Sequence, residues 1–153
     1  MKRVRIMNTF RQAIVDDEDY ARVKYYRWYF RYSSGLISGR VNGKHTTLGR
    51  CVLNPPEGLE ADHADMDVFN NLRSNLRIAT RSQNMSNKEG RSWTSSEFKG
   101  VSWHAANKKW IAQIQIDKQK IYLGSFDNEI EAAQAYDTAA KEHHLEFAWL
   151  NFK

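Results

Sequence analysis

The sequence has a single cysteine and no long apolar run, and each shortage excludes a class of protein. One cysteine, Cys51, excludes a disulfide framework within the chain and a structural zinc site built from several thiolates. No stretch reaches the roughly 20 consecutive apolar residues that span a bilayer, and the first residues lack the apolar run of a signal peptide. We therefore expect a cytoplasmic protein with no membrane partner.

The charge pattern favours a polyanionic partner. The formal net charge is +5 and the sequence pI is about 9.3, together with 12% aromatic residues. Residues 1–60 carry eleven Lys/Arg against six Asp/Glu, whereas residues 127–146 carry six acids against Lys141 alone. This segregation indicates surfaces with different tasks.

The N-terminal segment is predicted to contain short strands and one short helix. The acidic cluster of residues 16–19 favours the start of a helix over residues 20–23, because carboxylates stabilise the first turn. Asn42-Gly43 predicts a hairpin between strands over residues 36–41 and 46–53. The aromatic residues of 25–32 are interpreted as a small core; alternatively, some of them face a nucleic acid backbone together with Lys24, Arg27 and Arg31. Pro55-Pro56 ends this segment.

Residues 59–88 are predicted to form a β-β-α unit. Strands over residues 59–63 and 76–79 flank a polar loop, and a helix over residues 80–88 begins at Thr80 as N-cap, with Gln83 completing a capping box. This arrangement brings Asp62, His63 and Asn84 to one place. The alternative is a polar connector without chemistry.

The side chains of this unit suit phosphodiester hydrolysis. Asp62 and the amide oxygen of Asn84 are ligands for a hard divalent cation, which prefers oxygen and retains waters. His63 points to the opposite side of the strand from Asp62 and, with an ordinary pKa of about 6.5, can accept a proton from water. Asn75 could hold either the imidazole or the loop backbone.

After a predicted linker, the C-terminal part changes to strand alternation. Three short antiparallel strands precede a helix capped by Asp127, and the apolar positions of that helix recur at helical spacing. Lysines lie on the strands and acids on the helix, so one face of the sheet is directed toward DNA.

The central segment resembles the β-β-α-metal motif of HNH homing endonucleases, in the branch that opens with Asp-His. The resemblance implies that Asp62 and Asn84 hold one Mg²⁺ or Mn²⁺ per active site, that His63 is the general base and that Asn75 is the central structural asparagine. Phage-encoded members often have His-Arg before the paired prolines, where this chain has Gly49-Arg50. Arginines of this unit are expected to contact DNA: Arg73, Arg77 and Arg81.

Residues 96–153 resemble the plant ethylene-response-factor (apetala-type) DNA-binding domain, through Lys99 to Trp103, Trp110 to Ile114, Leu123 to Phe126, Glu131 to Asp137 and Asn151-Phe152. The resemblance implies DNA contacts by Lys99, Ser102, His104, Gln113, Gln115, Lys120 and Tyr122, to which Trp103 and Lys109 are added on physical grounds. Three positions that are mostly arginine in the plant domain are Ser102, His104 and Gln115 here, so the plant target sequence does not carry over. Gln113 and Gln115 are suited to bidentate contacts with adenine.

The sequence thus predicts an α+β protein: a β-rich N-terminal segment with a β-β-α-metal nuclease unit, then a three-stranded antiparallel sheet packed on one helix. The predicted domains are a nuclease domain (1–88, core 59–88), a linker (89–95) and a DNA-binding domain (96–153). The predicted function is metal-dependent, site-specific cleavage of double-stranded DNA by a monomer encoded by a phage or mobile element and acting in a bacterial host cell. The alternative is a non-cleaving DNA-binding protein with a decayed nuclease unit, which Gly49 favours. RNA binding through the aromatic N-terminal face is a third possibility, without a motif behind it.

Overall fold

The computed structural model describes residues 1–87 and 95–152, which form two compact units, Met1–Arg81 and Ser82–Lys153. Both units combine helices with small sheets, so the predicted α+β class is confirmed. The predicted linker, residues 89–95, lies outside the described residues except for Ser95. In the described ranges, the helices are all too short or too polar to cross a bilayer.

The first unit contains three small sheets. Its elements are β1 (Lys2–Arg5), β2 (Gln12–Val15), α1 (Asp17–Val23), β3 (Trp28–Arg31), β4 (Leu36–Val41), β5 (Lys44–Thr47), α2 (Leu48–Leu53), β6 (Glu60–His63), β7 (Asn70–Asn71) and β8 (Leu76–Ala79). The sheets have the orders β1-β2-β7, β3-β4-β5 and β6-β8, and their strands pair antiparallel except for β2 with β7. The predicted strands of the β-β-α segment therefore pair as expected.

Trp28 is at the centre of the first unit's core. Its side chain is fully buried, and its indole Nε1–H donates to the carbonyl of Val23 at 3.0 Å. Around it pack apolar side chains that include Ile6, Leu48 and Val52. The predicted aromatic core is confirmed for Trp28 and its partly buried neighbours, whereas three rings are exposed, and a nucleic acid contact by them stays a prediction. The exposed rings are Tyr25, Tyr29 and Tyr32.

The hairpin at Asn42-Gly43 is confirmed, because β4 and β5 pair on either side of it. Both turn residues have positive φ, 49° and 79°, as a two-residue turn with the twist of a hairpin requires. The predicted strand over residues 46–53 is wrong beyond Thr47. There the chain turns into α2, whose N-cap Thr47 accepts a hydrogen bond from the backbone N–H of Arg50 at 3.3 Å. Leu48, Gly49 and Val52 are all buried, at the i, i+1 and i+4 spacing of one helix face, whereas strand alternation would place Leu48 and Gly49 on opposite faces.

The second unit places a helix against a three-stranded sheet. Its elements are α3 (Arg81–Ser86), β9 (Val101–His104), β10 (Lys109–Ile116), β11 (Gln119–Phe126), α4 (Glu129–His144) and a 3₁₀ turn (Leu145–Phe147). The sheet order is β11-β10-β9, with antiparallel pairing throughout. The core between sheet and helix contains Val101, Ala112 and Ile114 from the strands and Ala133 and Tyr136 from α4.

The N-cap of α4 differs from the prediction by one residue. Asn128, not Asp127, occupies this position, and its side chain accepts a hydrogen bond from the backbone N–H of Ile130 at 2.8 Å. The carboxylate of Asp127 instead forms an ion pair with Lys109 at 2.6 Å. Both residues are good N-caps, so the local sequence does not choose between them.

Candidate functional site

Asp62 and Arg77 face each other across the β6-β8 pair. They are partners in the strand register, and Arg77 Nε donates to Asp62 Oδ2 at 2.7 Å. Both side chains are largely withdrawn from solvent, with 5% of Asp62 and 17% of Arg77 exposed. The guanidinium therefore orients the carboxylate and compensates its charge. The predicted DNA contact of Arg77 stays a prediction, and the structure gives its side chain this additional role.

His63 follows Asp62 in β6 and is held by Asn71. Its Nε2 lies 3.1 Å from Asn71 Oδ1. Burial lowers the pKa of His63, and the opposing effects of the Asn71 hydrogen bond and the nearby carboxylates of Asp65, Asp62 and Asp67 do not offset it. The imidazole is therefore held preferentially in its neutral form, which is the form that can accept a proton.

Asn75 holds the loop backbone rather than the imidazole. It is 9% exposed, and its Oδ1 accepts from the backbone N–H of Asp65 at 3.1 Å. Its Nδ2 donates to Asp65 Oδ1 and to the carbonyl of Asn70, both at 2.8 Å. Although burial acts in the other direction, the hydrogen bonds from Asn70 and Asn75 lower the pKa of Asp65. The polar loop is thus tied to the start of β8.

Asn71 is the residue near His63 that the sequence did not single out. Its side chain is fully buried, and its Nδ2 donates to the carbonyl of Val68 at 2.8 Å. It follows another asparagine in a polar loop, where turn formation is the usual reason for this residue type, so its contact with His63 has no local signal.

Gly49 lies against the same pair of side chains. A Cβ at this position would be 3.3 Å from both His63 Cε1 and Asn71 Oδ1, and 3.4 Å from Leu76 Cδ2. The first two distances are shorter than most Cβ contacts, so any larger residue would press on the imidazole and its partner. The sequence position that departs from the phage pattern is therefore adjacent to the predicted base.

Arg73 is engaged by acidic residues of α1. Its Nε and Nη2 donate to the two oxygens of Asp19 at 2.8 and 3.0 Å, and its backbone N–H donates to Asp16 Oδ2 at 2.8 Å. Asp19 is 1% exposed and also pairs with Arg22. This network ties the loop before β8 to α1, a structural task that the prediction of a DNA contact by Arg73 did not include.

The remaining nuclease residues lie on α3. Arg81 is exposed at its first position, and Asn84 is partly buried in its middle, beyond the boundary between the two units. In the described residues, no three His, Cys, Asp or Glu side chains form a group that could hold a metal. The predicted site has only two protein ligands, a carboxylate and an amide oxygen, so water and phosphate would have to supply the other ligands of a metal.

The sheet of the second unit presents most of the predicted DNA contacts on one face. Side chains alternate along β10, so that residues 110, 112 and 114 point toward α4 and residues 109, 111, 113 and 115 point away. The register pairs His104 with Lys109, Gln113 with Tyr122 and Gln115 with Lys120. Seven predicted contacts share this outer face: Ser102, His104, Lys109, Gln113, Gln115, Lys120 and Tyr122.

The outer face combines hydrogen-bonding groups with positive charge. A shallow depression of about 230 Å³ is lined in part by Ser102, Gln113, Gln115 and Lys120. Tyr122 is 59% exposed beside it. A register shift between Ala112 and Gln113, where the pairing skips Leu123, keeps Tyr122 and Lys120 on the same face as the glutamines.

Trp103 and Lys99 have other surroundings. Trp103 packs edge-on against Trp110, with 5.1 Å between ring centroids, on the face toward α4. The ammonium of Lys99 donates to the carbonyl of Ser86 at 2.6 Å, and burial lowers the pKa of Lys99 to about 8. The predicted DNA contacts of these two residues stay predictions, in positions unlike those of the outer face.

The chain matches no family model. It is 32% identical over 118 residues to the AP2/ERF and B3 domain-containing transcription factor RAV1 of Arabidopsis thaliana, covering 77% of this chain but only 34% of the plant protein. It is 44% identical over 61 residues to APETALA2-like protein 2 of Oryza sativa subsp. indica, covering 39% of this chain and 14% of that protein. The chain thus spans about a third or less of these plant relatives.

A viral protein matches over a longer stretch. The uncharacterized HNH endonuclease L560 of Acanthamoeba polyphaga mimivirus is 32% identical over 141 residues, covering 89% of this chain and 72% of the viral protein. Together with the plant relatives, this match is consistent with both parts of the predicted resemblance. Because the similarity extends over most of both sequences, the chain belongs to the family of HNH endonucleases.

Proposed function

We propose that this protein is a metal-dependent, site-specific DNA endonuclease of the homing type, which hydrolyses phosphodiester bonds in double-stranded DNA. In this proposal residues 1–88 cut the DNA and residues 96–153 choose the site. The observation that carries the proposal is the pair Asp62 and His63 at adjacent positions of β6, each held by its own buried or half-buried partner. Membership of the HNH endonuclease family supports it.

The side chains fit a hard divalent cation. Asp62 and Asn84 offer carboxylate and amide oxygens, the donors that Mg²⁺ and Mn²⁺ prefer. Arg77 engages one oxygen of Asp62. An ionised carboxylate has about four lone-pair sites, so the contact with Arg77 does not by itself exhaust its capacity. A cation held there would supply positive charge at the phosphate and at the leaving 3′ oxygen.

His63 has the properties of a general base for this reaction. Its pKa is lowered by burial, so that the neutral imidazole is available at pH 7. In the proposed step His63 takes a proton from water, the water oxygen attacks phosphorus, and the bond from phosphorus to the 3′ oxygen breaks. Asn75 contributes by holding the loop that joins β6 to β8, through its contacts with Asp65 and Asn70.

Site choice is assigned to the outer face of the second sheet. Two strands or more can lie in the major groove, where base edges present distinct patterns of donors and acceptors. In this proposal Gln113 and Gln115, on the outer face of the sheet, read such edges, and Lys120 beside them contacts a phosphate. The Arabidopsis thaliana relative is named a transcription factor, which supports DNA as the partner.

One observation favours a second function, a DNA-binding protein that does not cut. Gly49 replaces the histidine that phage-encoded members often have, and a Cβ at this position would lie 3.3 Å from both His63 Cε1 and Asn71 Oδ1. If that histidine takes part in phosphate binding, its loss would leave the second unit as the active part of the chain.

A two-stage experiment separates the two functions. The full-length protein first selects bound duplexes from a randomised DNA pool in the presence of EDTA. Supercoiled plasmids that carry the selected site are then incubated with wild type, His63→Ala or His45→Ala, with Mg²⁺ or with EDTA. His45 is an exposed histidine on β5 and serves as the matched control.

The endonuclease proposal predicts Mg²⁺-dependent cleavage by wild type and His45→Ala, and a loss of roughly 10²- to 10⁴-fold in His63→Ala with site binding unchanged. A wild-type protein that binds the selected site tightly and leaves the plasmid intact with Mg²⁺ or Mn²⁺ would establish the non-cleaving function instead.

A further inference from the structure

The amide of Asn71 has a fixed orientation. Its side chain is fully buried, and the donation from Nδ2 to the carbonyl of Val68 identifies which end of the amide is nitrogen. Its backbone is also fixed, since β7 pairs in parallel with β2 and Asn71 is opposite Val15. Turning the amide over would bring its oxygen against a carbonyl oxygen, so Oδ1 remains directed at His63.

This orientation decides which nitrogen of His63 carries the proton. Oδ1 of Asn71 can only accept a hydrogen bond, and it lies 3.1 Å from His63 Nε2. Nε2 must therefore be the N–H donor. In a neutral imidazole only one nitrogen is protonated, so Nδ1 carries the lone pair. A general base needs this lone pair on the nitrogen that meets the water.

Gly49 leaves the room that this hydrogen bond needs. A Cβ there would approach His63 Cε1 and Asn71 Oδ1 at 3.3 Å each, which is closer than nine in ten Cβ contacts. Asn71 is fully buried and His63 is partly buried, so making room for a Cβ would lengthen or tilt the hydrogen bond between them. The glycine is in α2, where its backbone conformation suits any residue, so the contact is the reason that applies to it.

We infer that Asn71 is a positioning residue for the base: it holds neutral His63 in the tautomer with Nε2 protonated and Nδ1 directed at the reacting water, and Gly49 preserves the space for this pair. The inference rests on the proposed endonuclease function for its catalytic meaning. It assigns a role to two residues that the motif itself does not name. Under this inference Gly49 supports an active nuclease site and does not indicate loss of nuclease activity.

The tautomer can be measured without activity. Long-range ¹H–¹⁵N correlation spectra of metal-free, ¹⁵N-histidine-labelled protein, at a pH well above the pKa of His63, distinguish the two neutral tautomers. The His63 signals are identified by their loss in His63→Ala. We expect Nε2 of His63 to be protonated, and its proton to exchange slowly enough to be observed. Asn71→Asp keeps the acceptor oxygen and should keep this proton signal, whereas Asn71→Leu should lose it.

The same variants are then compared on the selected DNA site. Asn71→Leu should cut at least about 10²-fold more slowly at saturating DNA, with the dissociation constant for DNA unchanged, and Asn71→Asp should cut at least tenfold faster than Asn71→Leu. Gly49→Ala should reduce the cutting rate in the same manner. Far-UV circular dichroism and urea unfolding establish that each variant is folded before it is compared.

Three results would overturn the inference: a His63 whose proton is on Nδ1, equal cutting rates for the aspartate and leucine variants, or a Gly49→Ala variant with unchanged tautomer signal and unchanged rate. If Asn71→Leu does not fold, the inference is tested by the tautomer of His63 in wild type and by the tautomer signal and cutting rate of Gly49→Ala. An inactive wild type refutes the endonuclease function and the catalytic role of Asn71, while the tautomer measurement still decides the geometry.

Discussion

Replacing Arg77 by methionine should destabilise the first unit strongly. Asp62 and Arg77 form an ion pair with a 2.7 Å contact, and 95% of the Asp62 side chain is buried. Removing one partner of a buried pair leaves the other charge poorly compensated, which costs about 3–5 kcal/mol. With a urea m value of roughly 1–2 kcal/mol/M for a unit of this size, the unfolding midpoint should fall by about 1.5 M or more.

Fluorine NMR can measure this change in the first unit alone. Trp28 is the single tryptophan in residues 1–81, so its resonance in protein labelled with 5-fluorotryptophan reports that unit's unfolding in urea. Arg5→Met, at an exposed position of β1, is the matched control and should change the free energy of unfolding by less than about 0.5 kcal/mol.

The double variant Asp62→Asn, Arg77→Met isolates the pair. Because it removes both charges, it should be more stable than Arg77→Met alone, with a coupling energy of about 2 kcal/mol. If Asp62 is a metal ligand, Mg²⁺ should also stabilise Arg77→Met more than wild type, since the cation replaces the lost positive charge. A midpoint for Arg77→Met equal to that of Arg5→Met, with additive effects in the double variant, would refute the ion pair.

Three further predictions concern other parts of the chain. Gly100→Ala should cost about 3 kcal/mol or more in the free energy of unfolding, because its Cβ would lie 2.0 Å from the Tyr136 ring, whereas Gly43→Ala, with a similar φ and open space, should cost only about 1–2 kcal/mol. Burial lowers the pKa of Lys99 to about 8. Between pH 8 and about 10.5 the unfolded chain therefore binds more protons than the folded protein does. The free energy of unfolding of wild type should rise over this pH range relative to that of Lys99→Met. Asp19→Asn should cost about 2 kcal/mol, because a buried carboxylate shared by two partly exposed arginines is lost.

Urea unfolding curves test all three predictions. Equal costs for the two glycine variants would show that the contact with Tyr136 is not tight. Parallel pH profiles for wild type and Lys99→Met would exclude a lowered Lys99 pKa. An Asp19→Asn variant with an unchanged free energy of unfolding would mean that the network with Arg73 adds no stability.

Local sequence signals determined those features that depend on nearby residues. Asn42-Gly43 specified a hairpin because both residues accept positive φ, and the alternation from Val101 to Leu123 specified a sheet with one apolar face. The strands around Asp62 and Arg77 followed from their short apolar patterns between turn signals. Each of these preferences acts within a few residues, so the sequence displays it directly.

Local sequence patterns led to a wrong prediction, or to none, where tertiary packing determines the structure. Thr47 to Leu53 has the composition of a strand, but packing against the Trp28 core favours a helix with Leu48 and Val52 on one face. Trp103 carries an exposed ring in a strand, and only the register with Trp110 shows that it points toward α4.

The sequence predicted which residues belong to the candidate site, but it did not predict their hydrogen-bond and ion-pair partners. The Asp62-His63 pair and Asn75 were found from the sequence because their chemistry is distinctive. Their partners, Arg77 for Asp62 and Asn71 for His63, are a strand and a loop away along the chain, and nothing in their local sequence sets them apart from neighbouring arginines and asparagines. A side chain's residue type is local information, whereas its hydrogen-bond partner depends on how distant segments pack, and that is what only the tertiary structure decided.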